Sequence, residues 1–130
     1  MVVIKVIVAG SRNFSNYALL ERKLDAILRN RVDEGVEIVS GKARGADTLG
    51  ERYAKERGYA IKEFPADWKK HGKAAGPVRN RQMAEYADAL VAFWDGKSRG
   101  TENMIETAEE LGLQVRVIKT EAANFMLYLR

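Results

Sequence analysis

The chain has 130 residues, a formal net charge of +4, no cysteine and one histidine. This length suits one compact domain, and the 46% hydrophobic content with charges of both signs excludes a disordered chain, a membrane helix, disulfides and thiolate metal sites. We therefore expect a soluble, cytoplasmic protein with no membrane partner, no cofactor and no metal site, whose positive charge fits either a solvated surface or attraction to nucleic acid.

Short apolar runs alternate with helical repeats along the chain. The first run is rich in β-branched residues, which predicts a strand buried on both faces of a parallel sheet. The next segment repeats leucine and isoleucine at helical spacing behind a Ser15 or Asn16 cap, and later helices stop at Gly58 and Gly112. The predicted strands cover residues 2–9, 37–40, 59–64, 89–93 and 115–118. The predicted helices comprise one that ends near residue 30 and others at 46–57, 77–86 and 101–111.

This alternation predicts an α/β fold, a Rossmann-like three-layer α/β/α arrangement around a mainly parallel five-stranded sheet. We expect a single domain over residues 1–130 with its core in 2–118. Residues 65–77, PADWKKHGKAAGP, are interpreted as a long polar loop whose Pro77 enters the first turn of a helix. Residues 119–130 include the apolar run NFMLYL, which predicts an edge strand or a homodimer contact.

The topology also predicts where a ligand binds. In open parallel sheets, ligands lie outside the carboxyl ends of the strands, where loops meet helix N-termini. Four loops follow strands there, and each combines glycine with an arginine, a pairing that suits phosphate recognition. The candidate ligand-binding residues in these loops are Gly10, Ser11, Arg12, Gly41, Arg44, Gly45, Asp47, Arg79, Trp94, Gly96, Ser98, Arg99 and Gly100. We expect Arg79 to be the main phosphate anchor, because GPVRN places it at the start of a helix.

Other side chains in these loops have two interpretations each. Asp47 and Glu102 are candidates for a catalytic acid or a ribose contact, although Asp47 equally suits the first turn of its helix. Asp67 and Asp95 suit either a ligand contact or a turn, and Trp68 and Trp94 either stack on a base or pack in the core. The remaining two residues, His71 and Asp88, are interpreted as an exposed histidine and a structural carboxylate.

Two nucleotide-binding motifs are absent from the sequence. No G-x-G-x-x-G follows the first predicted strand, and GKARGADT lacks the lysine placement of a G-x-x-x-x-G-K-[ST] loop. Dehydrogenase and ATPase functions are therefore disfavoured.

The loop motifs as a set resemble a known superfamily. VAGSRNF, VSGKARGAD, FPADWKKHGKAAGPVRNRQM and VAFWDGKSRGT are similar to the small bacterial and phage members of the SLOG superfamily. That superfamily also contains the Lonely Guy phosphoribohydrolases and the DNA-processing protein A that loads recombinase on single strands. The resemblance covers residues 2 to about 118 and implies a Rossmann-like fold that binds nucleotides.

The resemblance also has implications for single residues. Lonely Guy enzymes carry an arginine–lysine pair in one loop and PGGxGTxxE, with a catalytic glutamate, in another. VRNRQM matches the first with Arg79 and Asn80, and GKSRGTENM matches the second through Gly100 and Thr101. Met104 stands at the glutamate position. The resemblance therefore adds Asn80 and Thr101 to the binding candidates and implies no phosphoribohydrolase activity unless Glu102 or Asp47 takes over.

Three functions stay open at this point. The first is a module, such as a sensor, that binds a nucleotide-like small molecule through glycine-turn amides and arginines. The second is a hydrolase that cleaves the N-glycosidic bond of a nucleotide, and the third is a single-stranded DNA-binding protein. The missing glutamate favours the first over the second. The short basic and aromatic content disfavours the third, because strand binding needs a longer positive groove with stacking platforms.

Overall fold

A parallel sheet of five strands forms the centre of the computed structural model, which describes residues 3–120. Its strand order is β3-β2-β1-β4-β5, and all four pairings are parallel. The strands are β1 (Ile4–Gly10), β2 (Val36–Ser40), β3 (Ala60–Glu63), β4 (Ala89–Trp94) and β5 (Gln114–Lys119). The predicted α/β class with a five-stranded parallel sheet is confirmed.

Helices cover both faces of this sheet. They are α1 (Tyr17–Leu28), α2 (Ala46–Arg57), α3 (Trp68–His71), α4 (Ala75–Tyr86) and α5 (Arg99–Glu110), with 3-10 turns at Arg29–Glu34 and Gly72–Ala74. In β1, Val6 and Val8 pack with the buried side chains of α1 and α2, whereas Ile7 and Ala9 pack with those of α4 and α5. Because both faces are covered, the strand is apolar at nearly every position.

The helix boundaries follow from local capping. Asn16 caps α1 by accepting a hydrogen bond from the Leu19 amide at 3.0 Å, which decides between the two predicted caps. Gly58 ends α2 with a φ of 72°, and Gly112 follows α5 with a φ of 81°, as their positions in the sequence predicted.

The starts of helices α4 and α5 and the segment before α4 differ from the prediction. The prediction of a loop over residues 65–77 is wrong, because Asp67 accepts from the Lys70 amide at 3.1 Å and starts α3, and α4 already begins at Ala75. Pro77 lies in the first turn of α4, as predicted. Helix α5 begins at Arg99, two residues earlier than predicted.

The chain order creates a crevice next to β1. From β1 the chain proceeds through β2 to β3 on one side, then returns to β4 on the other side of β1. The loops that follow β1 and β4 therefore separate at the carboxyl ends of these strands, the position where open α/β sheets bind ligands.

The apolar run at 124–129 lies outside the described residues. Within residues 3–120, no helix has both the length and the apolar character needed to span a bilayer.

Candidate functional site

A cleft of about 560 Å³ opens at the carboxyl ends of β1 and β4. Its walls come from the loop after β1, the start of α2, the segment from α3 into α4, and the start of α5 with the loop before it. The lining residues are Ala9, Gly10, Arg12, Asn13, Ala43, Asp47, Trp68, Gly76, Pro77, Arg79, Asn80, Met83, Asp95, Ser98, Arg99, Gly100, Thr101, Asn103 and Met104. The volume is in the range of roughly 300–1,000 Å³ that is typical of small-molecule sites.

Three of the four predicted loop arginines line this cleft: Arg12, Arg79 and Arg99. The fourth, Arg44, lines an adjoining depression of about 270 Å³, which shares Arg12, Arg79 and Trp68 with the cleft. Among the described side chains, no carboxylate lies within 4.0 Å of a nitrogen of Arg12, Arg44 or Arg99. These three guanidinium groups therefore have their charge available to an anion.

Arg79 is more constrained than the other arginines. It lies in the second turn of α4, so the prediction that it sits at the helix start is corrected. Its Nε donates to Asn80 Oδ1 at 3.0 Å, and its Nη1 donates to the carbonyl of Gly41. Burial lowers the pKa of Arg79, and the facing Asp47 carboxylate opposes that effect. The group stays charged, with three of its five N–H donors outside these two hydrogen bonds.

Asp47 is a buried carboxyl group in the cleft wall, 4% exposed. Burial raises its pKa to about 6, although hydrogen bonds from the amides of Ala43 and Gly41 and the charge of Arg79 act in the opposite direction. The Ala43 amide donates to Asp47 Oδ2 at 3.2 Å. A Cβ on Gly41 would lie 2.6 Å from Arg79 Nη1 and 2.9 Å from Asp47 Oδ2. Glycine at position 41 therefore allows both charged groups to approach the backbone.

Ser11 and Asp95 join the two loops at the crevice. Ser11 Oγ accepts from the Asp95 amide at 3.2 Å, and Ser98 Oγ donates to it at 3.1 Å. The Asp95 carboxylate accepts from the amides of Lys97 and Ser98, both at 2.8 Å. Burial raises the pKa of Asp95, but these hydrogen bonds outweigh it and hold the pKa below its ordinary value. Ser11 is thus buried behind the cleft and not among its lining residues.

Several other predicted residues lie outside the cleft. Gly45 precedes α2 with a φ of 79°, and a Cβ there would collide with the carbonyl of Ser11. Gly96, with a φ of 83°, turns the chain after β4. Trp94 packs against the α4 and α5 side of the core and donates from Nε1 to the Ser98 carbonyl at 3.0 Å.

Of the other candidate side chains, only some line the cleft. Trp68 is 53% exposed and lines both the cleft and the depression, so it is the tryptophan that a ligand can reach. Glu102 and Asp67 are both exposed, and neither lines the cleft. Asp67 caps α3. His71 is half-buried outside the cleft, and Asp88 accepts from the Lys5 amide at 2.9 Å.

Some lining residues were not found from the sequence. They include Asn13, Ala43, Gly76, Met83 and Asn103. Asn103 stands one helical turn after Gly100 and Arg99, so an earlier start for α5 would have placed it on the ligand side. Met83 carries no signal of this kind, because an apolar residue in a helix is usually a core residue.

Comparisons with known proteins give the family of the chain. The model of the YspA, cpYpsA-related SLOG family matches residues 4–71. The Gene 61 protein of Mycobacterium phage D29 is 34% identical over 117 residues, which is 85% of this chain and 93% of the phage protein. The chain belongs to the YspA, cpYpsA-related SLOG family. The resemblance seen in the loop motifs is therefore confirmed.

Solved structures give the same fold at lower identity. DNA processing protein A from Streptococcus pneumoniae superposes with a TM-score of 0.70 at 20% identity, over 93% of this chain and 52% of that protein. The Helicobacter pylori protein of the same name, described for its single-stranded DNA binding mode, superposes with a TM-score of 0.63 at 19% identity, over 97% and 72% of the two chains. The chain thus spans about half the length of the pneumococcal protein.

Proposed function

We propose that this SLOG family member binds a nucleotide or nucleotide derivative in the cleft and holds its phosphate with arginine side chains. The observation that carries the proposal is that Arg12, Arg79 and Arg99 reach one cleft from three separate segments, the loop after β1, helix α4 and the start of α5. The first turn of α5 lines the same cleft, and its free amides and helix dipole also favour an anion. Guanidinium forks bind phosphate oxygens in pairs, so a phosphate is the anion that this arrangement fits best.

The base of such a ligand would stack on Trp68. This side chain is exposed at the mouth of the cleft, whereas Trp94 is held in the core by its hydrogen bond to the Ser98 carbonyl. Stacking on an aromatic ring contributes about 1–3 kcal/mol per base in nucleic-acid complexes and tolerates any base. Trp68 therefore supports binding of nucleotides without selecting among them.

Binding without rapid hydrolysis is the better supported form of this function. Met104 is buried, lines the cleft and cannot ionise, and Glu102 is exposed and is not among the lining residues. Two carboxyl groups, Asp47 and Asp95, line the cleft. Asp47 is the one suited to an acid role, since burial raises its pKa to about 6, whereas the pKa of Asp95 is held below its ordinary value.

Calorimetric titration with AMP, GMP and the corresponding nucleosides tests the proposal. We expect the monophosphates to bind and the nucleosides to bind at least tenfold more weakly. Arg12→Ala and Arg99→Ala should each weaken binding by roughly ten- to a hundredfold, because a hydrogen bond to a charged group contributes about 1.5–3 kcal/mol. Arg116→Ala, an exposed arginine of β5 outside the cleft, is the matched control. Equal affinities for nucleotides and nucleosides would refute the proposal.

Single-stranded DNA is the second candidate ligand. Lys69, Lys70 and Lys73 lie on the turns next to Trp68, so an exposed aromatic ring and several cations adjoin one mouth of the cleft. The Helicobacter protein with this fold is described by its single-stranded DNA binding mode. Fluorescence anisotropy with a labelled oligothymidylate, measured over a range of salt concentrations, distinguishes the candidates. Tight, salt-dependent binding that AMP and GMP do not displace would favour DNA.

A further inference from the structure

A chain of hydrogen bonds crosses from α4 to the α5 wall of the cleft. Arg79 Nε donates to Asn80 Oδ1 at 3.0 Å, and Asn80 Nδ2 donates to Asn103 Oδ1 at 2.9 Å. The same Asn80 Nδ2 also donates to the Gly100 carbonyl at 3.3 Å. Asn80 is 5% exposed, whereas Asn103 is half-buried and lines the cleft. All three residues line the cleft, and the hydrogen bonds join its α4 wall to its α5 wall.

The direction of these hydrogen bonds is determined by Arg79, the first donor in the series. A guanidinium group has only donors, so the atom of Asn80 that faces Arg79 Nε must be the amide oxygen. The two hydrogens of Asn80 Nδ2 then point towards α5, where one meets the Gly100 carbonyl. The other requires an acceptor, so Asn103 must turn its oxygen to Asn80. Each amide is thus held in one of its two orientations, which isolated amides adopt interchangeably.

This orientation leaves one chemical group for the cleft. With its oxygen engaged, Asn103 has its Nδ2 and two N–H donors on the side away from Asn80. Within residues 3–120, the Asn103 Nδ2 takes part in no hydrogen bond. Asn103 therefore offers its two N–H donors to whatever occupies the cleft, while its oxygen faces Asn80.

We infer that Asn103 is a specificity-determining residue of the cleft, which selects ligands that place a hydrogen-bond acceptor against the α5 wall. The inference rests on the proposed nucleotide binding and adds to it a requirement on the ligand. The acceptor is either a phosphate oxygen or a keto oxygen of the base. A ligand amino group at that place would face another donor and lose its hydrogen bond to water without replacement. Arg79 and Asn80 act as positioning residues, because they hold the Asn103 amide in the orientation that excludes amino groups.

Calorimetric titration of Asn103 variants with three probes tests the inference. The probes are GMP, AMP and ribose 5-phosphate, which differ in the base and share the phosphate. Asn103→Leu removes the donors at similar size, and Asn103→Asp replaces them by a charged acceptor. Gln82→Glu adds the same negative charge at an exposed position of α4 outside the cleft and serves as the matched control. Thermal unfolding of each unliganded variant checks that the fold is kept.

We expect Asn103→Asp to weaken binding by at least tenfold and Asn103→Leu by about three- to tenfold, with no change for Gln82→Glu. An equal loss for all three probes identifies the phosphate as the acceptor. A loss confined to GMP identifies the keto oxygen of the base.

Unchanged affinity in both Asn103 variants, an equal loss in Gln82→Glu, or a loss confined to AMP would overturn the inference. In those cases the parent protein still binds the phosphate probes, so the proposed function survives. If the parent protein binds none of the three, the proposed function fails and the inference fails with it.

Discussion

At the scale of single residues, Asp47 is the carboxyl group of the cleft whose pKa burial raises. Burial raises its pKa from 3.8 to about 6, so the folded protein holds the neutral acid more readily than the unfolded chain does. The stabilisation that this produces is fully present below the unfolded pKa and is lost as the pH rises through the folded value. The loss therefore occurs between about pH 4 and pH 7.

We predict that the unfolding free energy of the parent protein falls relative to that of Asp47→Asn by up to about 3 kcal/mol over this pH window, since one pKa unit corresponds to about 1.4 kcal/mol. Asparagine can still accept from the Ala43 amide, which keeps the fold of the variant comparable. Urea denaturation of both proteins at several pH values measures the difference. A constant difference would show that Asp47 titrates at the same pH in both states.

Arg79 has a structural role in addition to the one that its sequence context predicts. Arg79→Ala would leave the Gly41 carbonyl and Asn80 Oδ1 without their donor and Asp47 without its facing positive charge. We therefore expect a loss of about 1–3 kcal/mol of stability, in addition to a roughly thirty- to hundredfold loss of nucleotide affinity. Arg79→Lys, which keeps the charge and loses the fork, should recover more stability than affinity. Thermal unfolding and calorimetric titration of both variants separate these effects, and an Arg79→Ala variant with parental affinity would place the phosphate elsewhere.

Met104 determines the prediction for catalysis. Cleavage of an N-glycosidic bond produces an oxocarbenium-like transition state that a nearby carboxylate stabilises, and a thioether cannot replace it. We expect base release from nucleoside monophosphates to be absent or very slow. Chromatography of AMP and GMP after long incubation measures it. Rapid base release that Asp47→Asn abolishes would instead make Asp47 the catalytic acid, and Glu102→Gln serves as the exposed control on α5.

At the scale of the elements, the loops that surround the cleft depend on glycines in close contact with other backbone segments. Gly45 precedes α2 with a φ of 79°, next to the carbonyls of Ser11 and Arg12. Gly58 ends the same helix with a φ of 72°, but a Cβ there would meet nothing within 4 Å. The two positions share the backbone conformation and differ in their surroundings.

This pair allows strain and collision to be measured separately. We expect Gly58→Ala to cost about 1–2 kcal/mol of stability, the strain of a left-handed residue. Gly45→Ala should cost at least about 3 kcal/mol, because the loop after β1 must also move. Denaturant unfolding of both variants measures the costs. Equal losses of stability in the two variants would mean that the loop after β1 moves aside without an energetic cost. In that case we expect nucleotide binding by Gly45→Ala to be unchanged.

At the scale of the whole molecule, the apolar run NFMLYL at 124–129 motivates a prediction about assembly. Apolar runs of this length at a chain terminus often lie in subunit contacts, so we expect at least a dimer. Light scattering at micromolar concentration should give the mass of a dimer for the full chain and of a monomer for a chain that ends at Thr120. A monomer mass for the full chain would contradict the prediction.

The fold and the edge of the sheet where the cleft opens could be predicted from the amino-acid sequence. Periodicity is a local signal, and a strand apolar at nearly every position, such as β1, is stable only between two helical layers. Loops that carry glycine and arginine after each strand must then meet at one edge of a parallel sheet. The family resemblance could be recognised for the same reason, since it is carried by these contiguous loop motifs.

The side of each loop that faces the cleft could not be predicted in this way, because it depends on how distant segments pack together. Trp68 and Trp94 have equivalent positions in sequence terms, yet one lines the cleft and the other packs in the core. Ser11 joins the loops after β1 and β4 behind the cleft. The pKa of Asp47 depends on its burial and on the charge of Arg79, which lies more than thirty residues away in the chain. Burial and hydrogen bonding of this kind arise between segments distant in the chain, so no local pattern records them.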